Sequence, residues 1–363
     1  MSTVENRTHY LYIEYLRVIS ALAVIIIHVS GANWFRIELG STNWVVQTFF
    51  NVGTRFSVCV FCMISGAMLL RPDKDISMHD IFSRYIKRIL ICFLAWTVLY
   101  AVIYTAINHG DVKYFLLRLF KLPDHLWYLL MLIGLYLVYP VLRMITRNRT
   151  VTLYMIWLLI AFGTLETVSG VSGFFSEMAA ESYGYSLWKA FLGNLGELKA
   201  AFIPGYLGLF LLGHYIHEYG LGKWQKRIVY AAIPALILSA LLTAWLSVLT
   251  GKYIYTFMLE INPLVILASA GIFAFFRGEY EAGRKADTNT RMEKTMIWLG
   301  SNTFGIYLIH FAVRDILANC FKLDVASYPA ALSVPLNSLL IFLVSLVLTM
   351  LFKKIPGLKR IVS

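Results

Sequence analysis

The run Glu14-Tyr-Leu-Arg17-Val-Ile-Ser-Ala21-Leu-Ala-Val-Ile-Ile-Ile-His28 places three ionisable residues in an otherwise apolar segment. Charged groups at membrane depth are costly and mark functional positions by default. Arg17 and His28 are eleven residues apart, about 1100° of helical rotation or three turns plus ~20°. Both side chains therefore share one face, about 16 Å apart along the axis. Ala21 lies on the same stripe, where its small side chain leaves a groove rather than a ridge. Arginine's planar fork binds phosphate bidentately, and neutral histidine is the usual general base near pH 7. A ligand with phosphates at one end and a reactive carbon one long arm away matches this pair, and an acyl-coenzyme A has that form. A hydrogen-bonded packing histidine and an arginine that snorkels to the interface also fit the same residues.

Further polar residues punctuate the apolar sequence. Phe61-Cys62-Met63-Ile64-Ser65-Gly66-Ala67 combines small residues suited to close helix approach with a hydroxyl, Ser65, available to a buried site. Arg84, Lys87 and Arg88 crowd the start of the next apolar segment, and Arg84 and Arg88, four apart, share a helix face as two phosphate ligands would. Asp124-His125-Leu126-Trp127-Tyr128 pairs a histidine with an aspartate beside two aromatic rings, which suit either an interfacial belt or stacking on a sugar. Ser301-Asn302-Thr303-Phe304-Gly305-Ile306-Tyr307-Leu308-Ile309-His310 brings a second histidine to the level predicted for His28. Cys59 and Cys62 form a C-x-x-C pattern in an apolar helix without partner histidines, which reads as packing. No metal-ligand spacing is expected.

The elements that must hold these residues are membrane helices. Of 363 residues 59% are hydrophobic and 14% charged, against roughly 25% charged in soluble domains, and the mean hydropathy is +0.69. That composition excludes a soluble globular chain, a disordered one and a disulfide-stapled secreted fold. About ten stretches are apolar over the ~20 residues that span a bilayer: 11–33, 53–70, 86–107, 126–145, 151–169, 202–219, 229–249, 255–276, 297–319 and 334–352. Pro263 interrupts the eighth of these, and Arg55 crowds one end of the second. With the N-terminus in the cytoplasm, 22 of the 32 Lys and Arg fall on the inner side, so the positive-inside rule predicts both termini cytoplasmic. The polar segment 170–201 then lies outside and 277–296 inside. The net charge of +12 reflects topology and argues against a nucleic-acid partner. The first span reads as an anchor rather than a cleavable signal, and the chain, 1–363, as one integral membrane domain: an all-α, polytopic helix bundle.

The blocks I-E-Y-L-R-V-I-S-A, F-C-M-I-S-G-A-M-L-L, H-L-W-Y-L and T-F-G-I-Y-L-I-H, in this order between residues 13 and 310, resemble those of the acyltransferase family 3 of integral membrane enzymes. The family's hallmark is an arginine and a histidine with ten residues between them in the first helix, as at Arg17 and His28. The resemblance is closest to the subgroup acting on surface polysaccharides. It implies transfer of an acyl group, usually acetyl, from acyl-coenzyme A to a hydroxyl, or sometimes an amine, of a cell-surface glycan or lipid-linked sugar. It also implies His28 as the catalytic histidine, Arg17 as the donor-side arginine, and Arg84 and Arg88 as the basic cluster after the second helix. Ile91 stands where the family often has proline, and no appended esterase-like domain is expected to relay the acyl group within this chain.

The combined expectation is an acetyl-coenzyme A-dependent enzyme of the cytoplasmic membrane. Donor phosphates would meet Arg17, Arg84, Lys87 and Arg88 at the inner face, and His28 would act as general base. Ser65 and Tyr307 are candidates to stabilise the oxyanion, with His125, Trp127 and His310 on the acceptor side. A transporter of sugars or amino acids is the main alternative, although the repeated halves usual in transporters are not visible. A non-catalytic membrane subunit is the other.

Overall fold

The computed structural model describes residues 10–74, 76–121, 123–165, 167, 204–283, 290–326 and 328–362, with no strand among them. In chain order the helices are α1 (Leu11–Gly31), α2 (Thr42–Thr54), α3 (Phe56–Leu69), α4 (Lys87–Ile107), α5 (Val112–Phe120), α6 (Trp127–Leu137), α7 (Tyr139–Ile145) and α8 (Arg149–Gly163). They are followed by α9 (Pro204–Tyr219), α10 (Gln225–Thr250), α11 (Pro263–Gly283), α12 (Arg291–Gly300), α13 (Thr303–Phe321), α14 (Ala330–Lys354) and α15 (Pro356–Val362). Among the described residues seven stretches are long and apolar enough to cross a membrane: Leu11–Gly31, Thr42–Leu69, Met78–Ile107, Gly222–Thr250, Thr256–Ala282, Thr303–Phe321 and Ala330–Lys354. The remaining three expected spans correspond to the bent pair α6 and α7 and to the shorter helices α8 and α9. The segment 170–201 and residues 284–289 lie outside the described residues.

Four departures from the expected spans have local causes. The second begins at Thr42, not at 53, because Ser41 caps α2 by accepting from the Trp44 amide at 3.3 Å. Arg55 then sits inside the stretch rather than at its edge, paired with Glu260 at 2.7 Å. The fourth is not one straight helix: α6 and α7 meet at 57°, since Pro140 lacks an amide donor and its ring clashes with the carbonyl four residues back. In the eighth, Pro263 opens α11 instead of interrupting a helix. Asn262 accepts from the Leu264 amide at 2.8 Å, and proline is well suited to the first helical position. The ninth starts at Thr303, after a break at Ser301–Asn302 where Lys353 Nζ binds the Ser301 carbonyl at 2.9 Å and Asn302 Oδ1 at 2.8 Å. Ahead of it, α12 is a separate helix opened by a Thr290–Glu293 capping box.

α1 is the centre of the packing, touching α2, α3, α11, α12, α13 and α14. Between lipid-surrounded helices there is little hydrophobic drive, so close van der Waals contact and hydrogen bonds hold the bundle. The closest approach is between α3 and α9: a Cβ on Gly66 would lie 1.8 Å from the Phe210 carbonyl oxygen, and one on Gly213 2.0 Å from that of Met63. The same logic places Gly300 against Glu14, whose carboxylate oxygen would stand 2.0 Å from an added Cβ.

Candidate active site

Side-chain contacts define two ends of the bundle. At the first, Tyr10 packs edge-on to His217 and under the Arg71 guanidinium, 4.9 Å from its ring centre. Arg71 hydrogen-bonds both carboxylate oxygens of Asp73 and holds that carboxyl below its usual range. Arg143 donates to the carbonyls of Leu70, Pro72 and Lys74, and Arg277 to that of His217, so cations tie the ends of α3, α7, α9 and α11 together. Arg17 belongs near this end. It pairs with the buried Glu14 at 2.8 Å, which rests on Gly300 where α12 gives way to α13. The Arg88 guanidinium lies 5.7 Å from the ring centre of Phe304, in the first turn of α13. Arg84 reaches Asp80 at 3.4 Å and is largely exposed, as is Lys87. Ser65, one turn from the end of α3, donates its hydroxyl proton to the Phe61 carbonyl at 3.0 Å.

At the opposite end α1 delivers His28 to the wall of a cavity of about 640 Å³. The last carbonyls of a helix have no partner within it, and here side chains supply them. Arg314 donates to the His28 carbonyl at 3.3 Å and Asn51 to that of Ile27 at 2.9 Å. Each belongs to an ion-paired network. Arg314 binds Asp315 at 2.6 Å, and Tyr104 donates to Asp315 at 2.9 Å. Asn51 accepts from Arg55 at 2.9 Å, which pairs with Glu260. Both pairs line the cavity, together with Asn33, Arg36, Asp124, Trp127 and Asn337. A wall of guanidinium, carboxylate and amide groups is suited to a polyhydroxylated ligand, which both donates and accepts.

Around His28 the rings are tightly packed. Its centroid is 5.3 Å from that of His310 and 5.0 Å from Phe311. His125 lies 5.2 Å from His310 and stacks on Phe311 at 4.8 Å. Arg314 covers the Phe311 ring at 3.6 Å, a cation–π contact. The Tyr307 hydroxyl donates to the His125 carbonyl, pinning the start of α6 to α13.

The structure thus brings His28, His125, His310 and Tyr307 together and sets Trp127 on the cavity wall. Arg17, Arg84, Lys87, Arg88 and Ser65 do not reach that cavity. The stripe joining Arg17 to His28 is not an open groove: the cavity reaches along it from His28 to Val24, and Ala21 and Ile25 beyond are buried. Arg55, Glu260, Arg314 and Asp315 were not among the expected site residues. The signal was present, because each is an ionisable group in or beside an apolar span. Of the four, only Arg55 enters the sequence expectation, as a residue crowding one end of a span.

A family model described as an acyltransferase domain matches residues 10–354. The chain belongs to acyltransferase family 3. No curated protein and no solved structure matches it. The match takes in α1 to α14 and every candidate residue described above, so the polytopic helical bundle is a membrane acyltransferase, and its cavity at the His28 end is the candidate site of transfer.

Proposed function

We propose that this acyltransferase moves an acyl group, acetyl in the first instance, from cytosolic acyl-coenzyme A to a hydroxyl of a cell-surface polysaccharide or lipid-linked sugar. The observation that carries the reading is the placement of His28. It stands on the same helical stripe as Arg17, at the wall of a polar cavity, in a chain of this family. Arg17, with Arg84, Lys87 and Arg88 at the same end, would meet the donor phosphates; these cations suit that role because charge-assisted bonds to phosphate are strong. The donor arm then follows α1 toward His28, which requires α1 to part from its neighbours over Ala21, short of the cavity wall at Val24. The acceptor occupies the cavity beside Trp127.

Neutral His28 takes the proton of the acceptor hydroxyl as that oxygen attacks the thioester carbonyl. The tetrahedral intermediate collapses, the carbon–sulfur bond breaks, and the imidazolium returns its proton to the leaving thiolate. The ester is made without a covalent enzyme intermediate. In this structure the Tyr307 hydroxyl gives its proton to the His125 carbonyl and would have to exchange partners to reach an oxyanion, whereas Ser65, bonded to the Phe61 carbonyl, lies away from the cavity.

Incubation of the purified protein with labelled acetyl-coenzyme A and membrane glycolipids tests the reading. The expected result is label in an alkali-labile ester on the glycolipid, lost in His28→Ala. Absence of both transfer and coenzyme A binding in the intact protein would overturn it.

A further inference from the structure

The general base proposed above has a neighbour whose chemistry is fixed by its own hydrogen bond. His310 Nδ1 lies 2.5 Å from the Tyr307 carbonyl oxygen. A carbonyl only accepts, so Nδ1 carries the proton and Nε2 holds a lone pair. Nε2 is buried and has no hydrogen-bond partner among the described residues, and His310 as a whole is 1% exposed. A buried acceptor left without a donor costs free energy comparable to a lost hydrogen bond. Two adjoining rings can supply one, His125 at 5.2 Å with the rings at 74° and His28 at 5.3 Å with the rings at 34°, and of the two His28 is the one that lines the cavity.

Ring nitrogens lie about 1.1 Å from the imidazole centre, so a linear N–H···N bond of about 3 Å separates two centroids by about 5.2 Å. The His28 and His310 centroids are 5.3 Å apart, with the rings tilted by 34°. That separation is the one a direct His28 N–H···Nε2 bond requires once a His28 nitrogen faces Nε2. Other charged or titratable groups facing His28 are Arg314 on the same helix as His310, His125 ahead of α6, and Arg55 between α2 and α3. Neither Arg314 nor Arg55 can accept a proton, and Arg314 is committed to Asp315.

We infer that His310 is a positioning residue: its Nε2 accepts the N–H of His28 and fixes the tautomer in which the other His28 nitrogen presents its lone pair to the acceptor hydroxyl. His310 stays neutral throughout. The proton taken from the acceptor resides on the second His28 nitrogen and leaves with the thiolate, while the bond to Nε2 stabilises the imidazolium formed in between. Loss of an orienting partner in other acid–base pairs slows turnover by about 10²- to 10⁴-fold through the wrong tautomer.

This inference rests on His28 being the base, and the test separates the two. His310→Phe keeps the ring and removes the acceptor, and His310→Gln restores an accepting oxygen. Expected are a fall in kcat of about 10²-fold for His310→Phe with KM for acetyl-coenzyme A within about twofold, and recovery of about tenfold in His310→Gln. If His310→Phe does not fold, His310→Met compared with His310→Gln reads the same difference. Equal kcat in the acceptor-free and Gln variants, or a change confined to KM, overturns the positioning role while an inactive His28→Ala leaves the base in place. An active His28→Ala overturns both.

Discussion

At the residue scale two side chains divide the proposed reaction between them. His28→Ala is expected to reduce acyl transfer by about 10²- to 10⁴-fold while coenzyme A binding and expression stay near wild type, as measured by transfer of labelled acetyl and by titration calorimetry. Arg17→Ala is expected to weaken coenzyme A binding by about 1.5–3 kcal/mol, the worth of a hydrogen bond to a charged group. Arg17→Lys should recover part of that, because an ammonium lacks the bidentate fork. Arg17 also neutralises the buried Glu14, so Glu14→Gln/Arg17→Ala is the control that separates a lost phosphate contact from a buried charge; unchanged affinity in both variants removes Arg17 from the donor site. The spacing of Arg17 and His28, and the shared level of His28 and His310, were legible because helical rise and rotation are fixed quantities. The Arg55–Glu260 pair was not, since 205 residues separate its members and only the tertiary fold joins them.

At the scale of elements the number and order of apolar stretches were readable, and their ends were not. Hydropathy registers how long a segment stays apolar, whereas Ser41, Pro140, Asn262 and Asn302 decide where the helix itself begins or bends. The small residues of α3 were legible as a packing face, and the structure names the partner, α9. There Gly66→Ala or Gly213→Ala forces a methyl to within 2.0 Å of a carbonyl oxygen on the facing helix. Each is expected to destabilise the bundle by about 1–3 kcal/mol, the usual cost of overpacking, seen as a lower Tm in detergent. Gly53→Ala in α2 and Gly134→Ala in α6 have nothing within 4 Å of the added methyl and should leave Tm unchanged or slightly raised, because alanine favours helix. A matching gain in all four variants would show that helix propensity rather than the α3–α9 contact sets the stability.

For the whole molecule the question is which end of the bundle faces the cytosol, since a donor and an acceptor on opposite sides can meet at His28 without either crossing fully. The allocation expected from the sequence divides the basic residues 22 to 10, and its richer side corresponds to the end that holds Tyr10, Arg71, Arg143, Arg277 and Lys353. The positive-inside rule predicts that end to be cytoplasmic, which would turn Arg17 toward the coenzyme A pool and the cavity toward the outer side. Lys294, exposed on the first turn of α12, and Ala326, exposed between α13 and α14, mark the two ends. In a background lacking the four native cysteines, of which Cys320 is exposed, Ala326→Cys should react with an impermeant maleimide in intact cells. Lys294→Cys should react only after the membrane is permeabilised. An inner-leaflet enzyme with a cytosolic acceptor would need the cavity end to face inward, and labelling of Lys294→Cys alone in intact cells would establish that orientation. Arg17 would then stand away from its donor, and transfer across the membrane would have to be abandoned.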